Sequence, residues 1–303
     1  MTLTELRYFI ALAQEKHFGR AAARCFVSQP TLSVAIKKFE EELGVVLFER
    51  THHTVRLTES GTNLIGLAQS VLDAAEKLTQ SAQAEQDPFA TPVKIGAIYT
   101  IGPYLFPHLI QQLRIQTPKL TLFIEENFTS VLLSKLREGE LDVAILALPI
   151  NEPDLAVIPL YDEAMRVLMP ANHAWAKHKA IAAKELANEA MLMLGEGHCF
   201  RDQVLSACPT LVAPGDSNRV VEGGSLETIR HMVASGLGIT VLPATACQQS
   251  WYPEQVLVTR PFKQPEPSRL VGLVYRESFP RTQAIEAIAK AIQASPLPGV
   301  RML

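Results

Sequence analysis

Between residues 3 and 14 the apolar side chains Leu3, Leu6, Phe9, Ile10 and Ala13 recur at steps of three, three, one and three, a helical stripe. A second short helix is expected over Gly19 to Phe26. Val27-Ser28-Gln29-Pro30 then reads as a turn, with Ser28 as N-cap and Pro30 inside the first turn of a third helix running to about Glu42. In that helix Leu32, Ile36, Phe39 and Leu43 fall at steps of four, three and four, leaving Thr31, Ser33, Lys37 and Lys38 on other faces. After Gly44, residues 45–50 and 54–58 are short and β-rich, and Thr51-His52-His53 between them gives the pattern of a hairpin, a wing. From Glu59 to about Gln86 there is no proline, and Leu64, Ala68, Val71, Ala75, Leu78 and Ala82 alternate steps of four and three. That spacing predicts a long dimerising helix.

Asp87-Pro88-Phe89-Ala90-Thr91-Pro92 breaks the helix, and β runs begin to alternate with helical ones, so a new domain starts near residue 92. A strand at 93–98, a helix near 103–116, a strand at 120–124, a helix near 129–138 and a strand at 142–147 make βαβαβ. Such a run predicts a parallel sheet. Further strands are expected at 166–169, 191–194, 239–242 and 270–275.

Composition adds bounds. With 303 residues, 48% of them hydrophobic and 19% charged, the chain is long enough for two or three domains with real cores. The net charge of −3 argues against unselective coating of nucleic acid. Eight Lys/Arg face seven Asp/Glu within residues 1–60, so any DNA binding must rest on placement of charge and on dimerisation. The opening MTLTELRYFIALAQ lacks the basic and unbroken apolar regions of a signal peptide, and no run approaches eighteen apolar residues. A soluble cytoplasmic protein with no membrane partner is expected. In that compartment Cys25, Cys199, Cys208 and Cys247 default to free thiols, and a disulfide between any two would be transient and sensing.

The segment AAARCFVSQPTLSVAIKKFEEELGVVLFER resembles the helix-turn-helix of LysR-type transcriptional regulators, with Val27-Ser28-Gln29-Pro30, Leu32-Ser33, Ile36, Glu40, Leu43-Gly44 and Leu47-Phe48-Glu49-Arg50 as the matching positions. Phe39 stands where the family usually has leucine. The resemblance continues through the whole chain and implies an α/β protein of three parts. These are a winged helix-turn-helix over 1–58, a linker helix over 59–87, and a regulatory domain over 88–303 resembling the type II periplasmic-binding-protein fold. Within the last, subdomain I would take 92–162 and 268–303, and subdomain II 163–267. It also implies double-stranded promoter DNA as partner, a homodimer through the linker helix, assembly to a homotetramer, and contact with RNA polymerase. A recognition helix lies in the major groove. Ser28 and Pro30 belong to the DNA-binding set at the start of that helix, with Gln29, Thr31 and Ser33 as candidates for base edges and Lys37, Arg50 and Arg56 for phosphates, where a cation needs no base-specific geometry. The competing reading makes Ser28 and Gln29 mere caps and Lys37 a solvated surface residue.

GEGHCFRDQVLSACP at 195–209, YTIGPYLFPH at 99–108 and SLETIRHMVASGLGITVLP at 225–243 resemble the peroxide-sensing branch of that family. From spacing alone Cys199 and Cys208 read as unrelated small core residues. The resemblance instead implies Cys199 as the residue oxidised by hydrogen peroxide, Cys208 as its resolving partner, and a thiol-disulfide reductant for reset. His198 and Arg201 flank Cys199 and can stabilise negative charge, the polar run opens a short helix whose amides add to the effect, and Arg201 can pair with Asp202. Nine residues of helix separate the cysteines by roughly 13 Å, whereas a disulfide needs Cα atoms about 4.4–6.8 Å apart. A bridge therefore demands local refolding.

Peroxide is a small neutral donor and acceptor, which suits hydroxyls and an imidazole. Thr100 and Thr129 each follow a strand and precede a helix, pointing to a cleft at the carboxyl ends of parallel strands, although plain N-caps fit the same positions. The resemblance places both near Cys199. His198, too, can be read as a structural histidine. Zinc is disfavoured by the ligand spacing, and no cofactor is expected. Competing functions are a LysR-type regulator of metabolite response, a thiol peroxidase, for which the DNA-binding part would be surplus, and a secreted solute-binding protein.

Overall fold

The computed structural model describes residues 1–50, 55–84, 89, 91–209, 220–247 and 252–303. The chain forms two compact units, Met1–Glu85 and Gln86–Leu303.

In the first unit, α1 (Leu3–Glu15), α2 (Phe18–Arg24) and α3 (Gln29–Leu43) precede a two-stranded antiparallel hairpin of β1 (Phe48–Arg50) and β2 (Val55–Leu57), then α4 (Glu59–Ala84). Thr2 and Glu5 close a reciprocal capping box on α1. Ser28 caps α3 by accepting from the Thr31 N–H, and Gly44 ends it at φ 71°, a left-handed conformation that costs glycine nothing. Leu32, Ile36 and Phe39 are buried as the stripe predicts, but Leu43 is exposed, because the chain leaves the helix one residue later. Phe9 is the hub of this core: its ring lies 6.0 Å from Phe39 and 5.6 Å from Phe48. The contact with Phe9 is what Phe39 gives in place of leucine. The hairpin starts later than expected, at Phe48, and the Glu40 carboxylate accepts from the N–H groups of Leu47 and Phe48 (2.9 and 3.1 Å). Thr51-His52-His53 at its tip lies outside the described residues, as does the break at 85–88. Along α4, Ala68 is buried and Leu64 and Leu72 pack on the core, whereas Leu67, Val71 and Leu78 remain exposed.

The second unit holds one mixed sheet in the order β4-β3-β5-β11-β6-β9-β7-β8, with β10 and β12 also pairing to β6. β3 (Val93–Ile98), α5 (Gly102–Gln116), β4 (Leu122–Asn127), α6 (Thr129–Arg137) and β5 (Val143–Ala147) form the expected parallel βαβαβ, with β4 starting two residues late. β6 (Leu155–Pro170) is a sixteen-residue strand, far longer than the 166–169 segment read from the sequence. Up to Ala164 it pairs with β11 (Ser268–Arg276), and from Met165 with β9 (Ile239–Pro243). β7 (Met191–Leu194) falls where expected, and α7 (Cys199–Ala207) follows it. Further elements are β8 (Val220–Gly223), α8 (Leu226–Ala234), β10 (Leu257–Pro261), α9 (Thr282–Gln293) and β12 (Val300–Met302). Two apolar clusters fill the unit, one around β3, β5, α5 and α9, the other around β7, β9, α7 and α8.

Candidate functional site

Cys199 is the first residue of α7, and Cys208 caps its far end. At 1.5 Å per residue the helix holds them about 13 Å apart along its axis, and both are free thiols. Their surroundings differ. Phe200, Val204 and Cys208 are buried in the cluster around β7 and α8, while Cys199 is half-buried and packs against the cluster around β3 and β5. Burial pushes the Cys208 thiol up to about 11, which keeps it protonated and poorly nucleophilic at neutral pH.

A small pocket meets the head of α7. It is lined by Thr100 after β3, by Asn127, Phe128 and Thr129 at the β4–α6 junction, and by Gly197, His198 and Cys199 before α7. Four residues read separately from the sequence, Thr100, Thr129, His198 and Cys199, thus share one pocket at the carboxyl ends of β3 and β4. Neither threonine is an N-cap: Thr129 is the first residue of α6, and Thr100 lies two residues ahead of α5. The buried Thr129 hydroxyl has no hydrogen-bond partner among the described residues. Such a group retains a donor and two acceptor sites for a small ligand. Thr100 is used differently, since its hydroxyl oxygen accepts from Arg269 (2.8 Å), so its proton must point elsewhere.

His198 is wedged against Phe128 and Tyr99, with ring centroids 4.9 and 5.9 Å away. Burial holds its pKa below the ordinary histidine value, and a hydrogen bond to the Gly224 carbonyl offsets only part of that. The imidazole is therefore neutral near pH 7 and is available to the pocket as a hydrogen-bonding group. Gly197, at φ 91°, lets the chain pass over the Phe128 ring, which an added Cβ would meet at 3.4 Å.

The expected pairing of Arg201 with Asp202 does not form. Arg201 donates to Glu222 (2.6 Å) and to the Leu194 carbonyl (3.0 Å), and Asp202 is exposed. Adjacent helical residues point about 100° apart, so they cannot face one another. Neither side chain lines the pocket with Cys199.

Sequence reasoning missed the group behind the pocket. Arg269 on β11 donates to the Thr100 hydroxyl and carbonyl (2.8 and 2.9 Å), pairs with the fully buried Glu163 of β6 (2.7 Å), and lies over the Phe200 ring at 5.0 Å. Glu163 in turn accepts from the backbone N–H of Thr245 (2.9 Å) and from its hydroxyl. A buried ion pair is tolerated only when its remaining donors and acceptors are used, as they are here. Phe200 on α7 is thereby joined to Thr100 through one guanidinium. No signal in the linear sequence marks Arg269, whose partners lie over a hundred residues away.

α7 itself is lightly held. Its N-cap His198 offers no side-chain cap, and a nine-residue helix is marginal on its own. Packing of Phe200 and Val204 and the Arg201–Glu222 pair keep it in place.

In the first unit, Gln29, Pro30, Thr31, Lys37 and Lys38 are exposed along α3, and Ser33 is half-buried. Ser28 is spent on capping, with its hydroxyl 2.7 Å from that of Thr31. Lys37 sits 3.8 Å from Glu41, both of them exposed. Arg56 is exposed on β2, and the side chain of Arg50 lies outside the described residues. Among the described residues there is no cluster of His, Cys, Asp or Glu fit for a metal, and no helix long and apolar enough to cross a membrane.

Residues 3–62 match the family described as bacterial regulatory helix-turn-helix protein, lysR family, and residues 86–296 match the LysR substrate binding domain. The chain is 42% identical to the DNA-binding transcriptional dual regulator OxyR of Escherichia coli, over 97% of its own length and 95% of that protein. Among solved structures, a full-length OxyR variant from Pseudomonas aeruginosa is 53% identical, covers 99% of this chain and 98% of its own, and superposes with a TM-score of 0.82. A hydrogen-peroxide-bound mutant of Corynebacterium glutamicum OxyR is 35% identical, with coverage of 96% and 91% and a TM-score of 0.65.

Proposed function

This chain belongs to the LysR family of bacterial transcriptional regulators, and from that premise we propose that it is a DNA-binding peroxide sensor, switched by oxidation of Cys199 and a reversible bridge to Cys208. One observation carries the reading: Thr100, Thr129, His198 and Cys199 converge on one small pocket at the head of α7, while the second thiol is buried at its tail.

The Cys199 thiolate attacks one peroxide oxygen, the O–O bond breaks, and the departing hydroxide takes a proton to leave as water, giving a sulfenic acid. Thr129 and Thr100 hydroxyls and neutral His198 are suited to orient the peroxide and to share that proton. Cys208 then attacks the sulfenic sulfur, forming the S–S bond and releasing a second water. It cannot do so across about 13 Å of helix, so α7 must unwind first. Unwinding also brings the Cys208 thiol into water, where its pKa falls back and its thiolate becomes available. A dithiol reductant of the cell returns both sulfurs to thiols.

The repacked segment changes what surrounds Phe200 and Arg269, and with them the buried links between β6, β11 and the chain after β9. We assign this to the regulatory domain, 88–303, with subdomains divided near 162 and 267. Dimerisation through the exposed Leu67, Val71 and Leu78 of α4 would set the spacing of paired helix-turn-helix units, with a homotetramer on promoter DNA, RNA polymerase as the downstream partner and the cytoplasm as location. Gln29, Thr31 and Ser33 would face base edges, with Lys37, Arg50 and Arg56 on phosphates.

The test treats full-length wild type, C199S and C208S with stoichiometric peroxide, followed by non-reducing peptide mapping and DNA footprinting. A linked 199–208 peptide and an altered footprint in wild type alone support the reading. An unchanged footprint shift in C199S contradicts it.

A further inference from the structure

α2 ends in a paired C-terminal cap: the Val27 N–H donates to the Ala22 carbonyl (3.0 Å) and the Phe26 N–H to the Ala23 carbonyl (3.1 Å). In this motif the residue between, here Phe26, takes a left-handed conformation that glycine usually fills. Phe26 adopts it at φ 55°, and its ring is 95% exposed. Val27, next in line, turns inward and packs on the core. The fold would be served better by glycine at 26, because a bulky residue in this region is strained and an exposed phenyl ring gains nothing from burial.

A second exposed apolar residue stands on the same unit. Val34 is 68% exposed on α3, four residues after Pro30 and three before Lys37, so helical spacing puts it in the middle of the exposed polar face. Around it are Thr31, Lys37 and Lys38, all exposed. Neither Phe26 nor Val34 belongs to the apolar core of this unit. Two apolar groups flank the start of a recognition helix beside two cations, a combination that suits a polyanionic duplex offering methyl groups in its major groove. Thymine C5-methyl is the one apolar feature a base pair presents there.

We infer that Phe26 and Val34 form an apolar reading surface for thymine methyl groups, adding a sequence preference to the polar contacts of Gln29, Thr31 and Ser33. This rests on the DNA-binding reading of the first unit. Burying one methyl group is worth about fourfold in affinity.

The experiment selects duplexes from a random-sequence pool with the full-length protein, then replaces each thymine of the selected duplex by uracil, which deletes only the methyl. Wild type should lose about fourfold in affinity at one or two thymines. F26G and V34S should each abolish the penalty at one of them. F26G should also melt no lower than wild type, since glycine relieves the left-handed strain, so a folding defect cannot imitate the result. A flat uracil scan in wild type overturns the inference, as does a scan in which F26G and V34S each keep every penalty seen in wild type. Variants that change only the oligomeric state, with the scan intact, would assign the surface to a second copy of the chain and overturn it too. Failure of wild type to enrich any sequence would overturn the DNA-binding reading itself, and this inference with it.

Discussion

α3 and α7 each carry functional residues at their N-terminal ends, yet they are built in opposite ways. α3 has fifteen residues, a serine N-cap, a glycine stop and three fully buried side chains on one face. α7 has nine residues, an N-cap without a side-chain bond, and a cysteine where a stop would be. A surface that must present the same groups to a duplex each time needs a helix that does not fray. A segment that must bring its two ends together needs a helix that can be lost without losing the fold. The difference locates rigidity where recognition happens and marginal stability where the covalent signal is received.

The comparison can be broken most forcefully at Phe200. Truncation to alanine removes a buried ring and the face over which Arg269 lies, and should cost about 3–5 kcal/mol in the second unit. Thermal unfolding read separately in the two units, with hydrogen exchange on α7 and α3, checks it. Protection should vanish across 199–207 and stay intact across 29–43.

Ser28→Ala attacks the other helix. Loss of the cap should cost about 1 kcal/mol, measured by denaturant unfolding, and should weaken specific DNA binding without slowing oxidation of Cys199. His198→Asn sharpens the contrast from the opposite side by giving α7 the cap it lacks, a gain of up to about 1 kcal/mol. Because His198 also lines the pocket, the informative quantity is the closing step alone: once the sulfenic acid has formed, appearance of the bridge should be slower than in wild type.

The same contrast extends to pH. Folded Cys208 titrates at about 11 against an ordinary 9.0. The unfolded segment therefore loses its proton first, and stability present below pH 9 declines as pH rises towards 11. His198 works from the acid side. Its folded pKa lies below 6.5, so the opened state binds a proton first and protection of α7 should fall as pH drops below about 6.5. Exchange on α3 measured at the same pH values should show neither slope, and C208S should abolish the alkaline one.

The first unit was legible because its signals are local. Ser28, Pro30 and Gly44 punctuate α3, and the stripe of Leu32, Ile36 and Phe39 carries its own period. The βαβαβ run and β7 were read for the same reason. β6 was hidden by its own chemistry: Pro159, Asp162 and Glu163 interrupt the apolar pattern, and Glu163 is interior only because Arg269 meets it from another strand. The strand-led reading also passed over α9, although Ile285, Ile288, Ala289 and Ile292 mark its buried face.

In the site, the sequence singled out Cys199, His198, Thr100 and Thr129 one by one, and their convergence appears only once β3 and β4 are adjacent. Arg201 and Asp202 are adjacent in sequence but not in space, because the helix turns Arg201 to Glu222 and leaves Asp202 exposed. Arg269 was invisible, since nothing distinguishes a buried arginine from a surface one until its partners are in place.

Unwinding of α7 on oxidation is tested most directly by hydrogen exchange across 199–208 in full-length protein, before and after one equivalent of peroxide, in wild type and C208S. Wild type should lose amide protection throughout α7 as the Cys199–Cys208 bridge appears, C208S should form the sulfenic acid with its helix still protected, and α3 should be unaffected in both. A bridged protein whose α7 amides remain as protected as in the reduced state would contradict it.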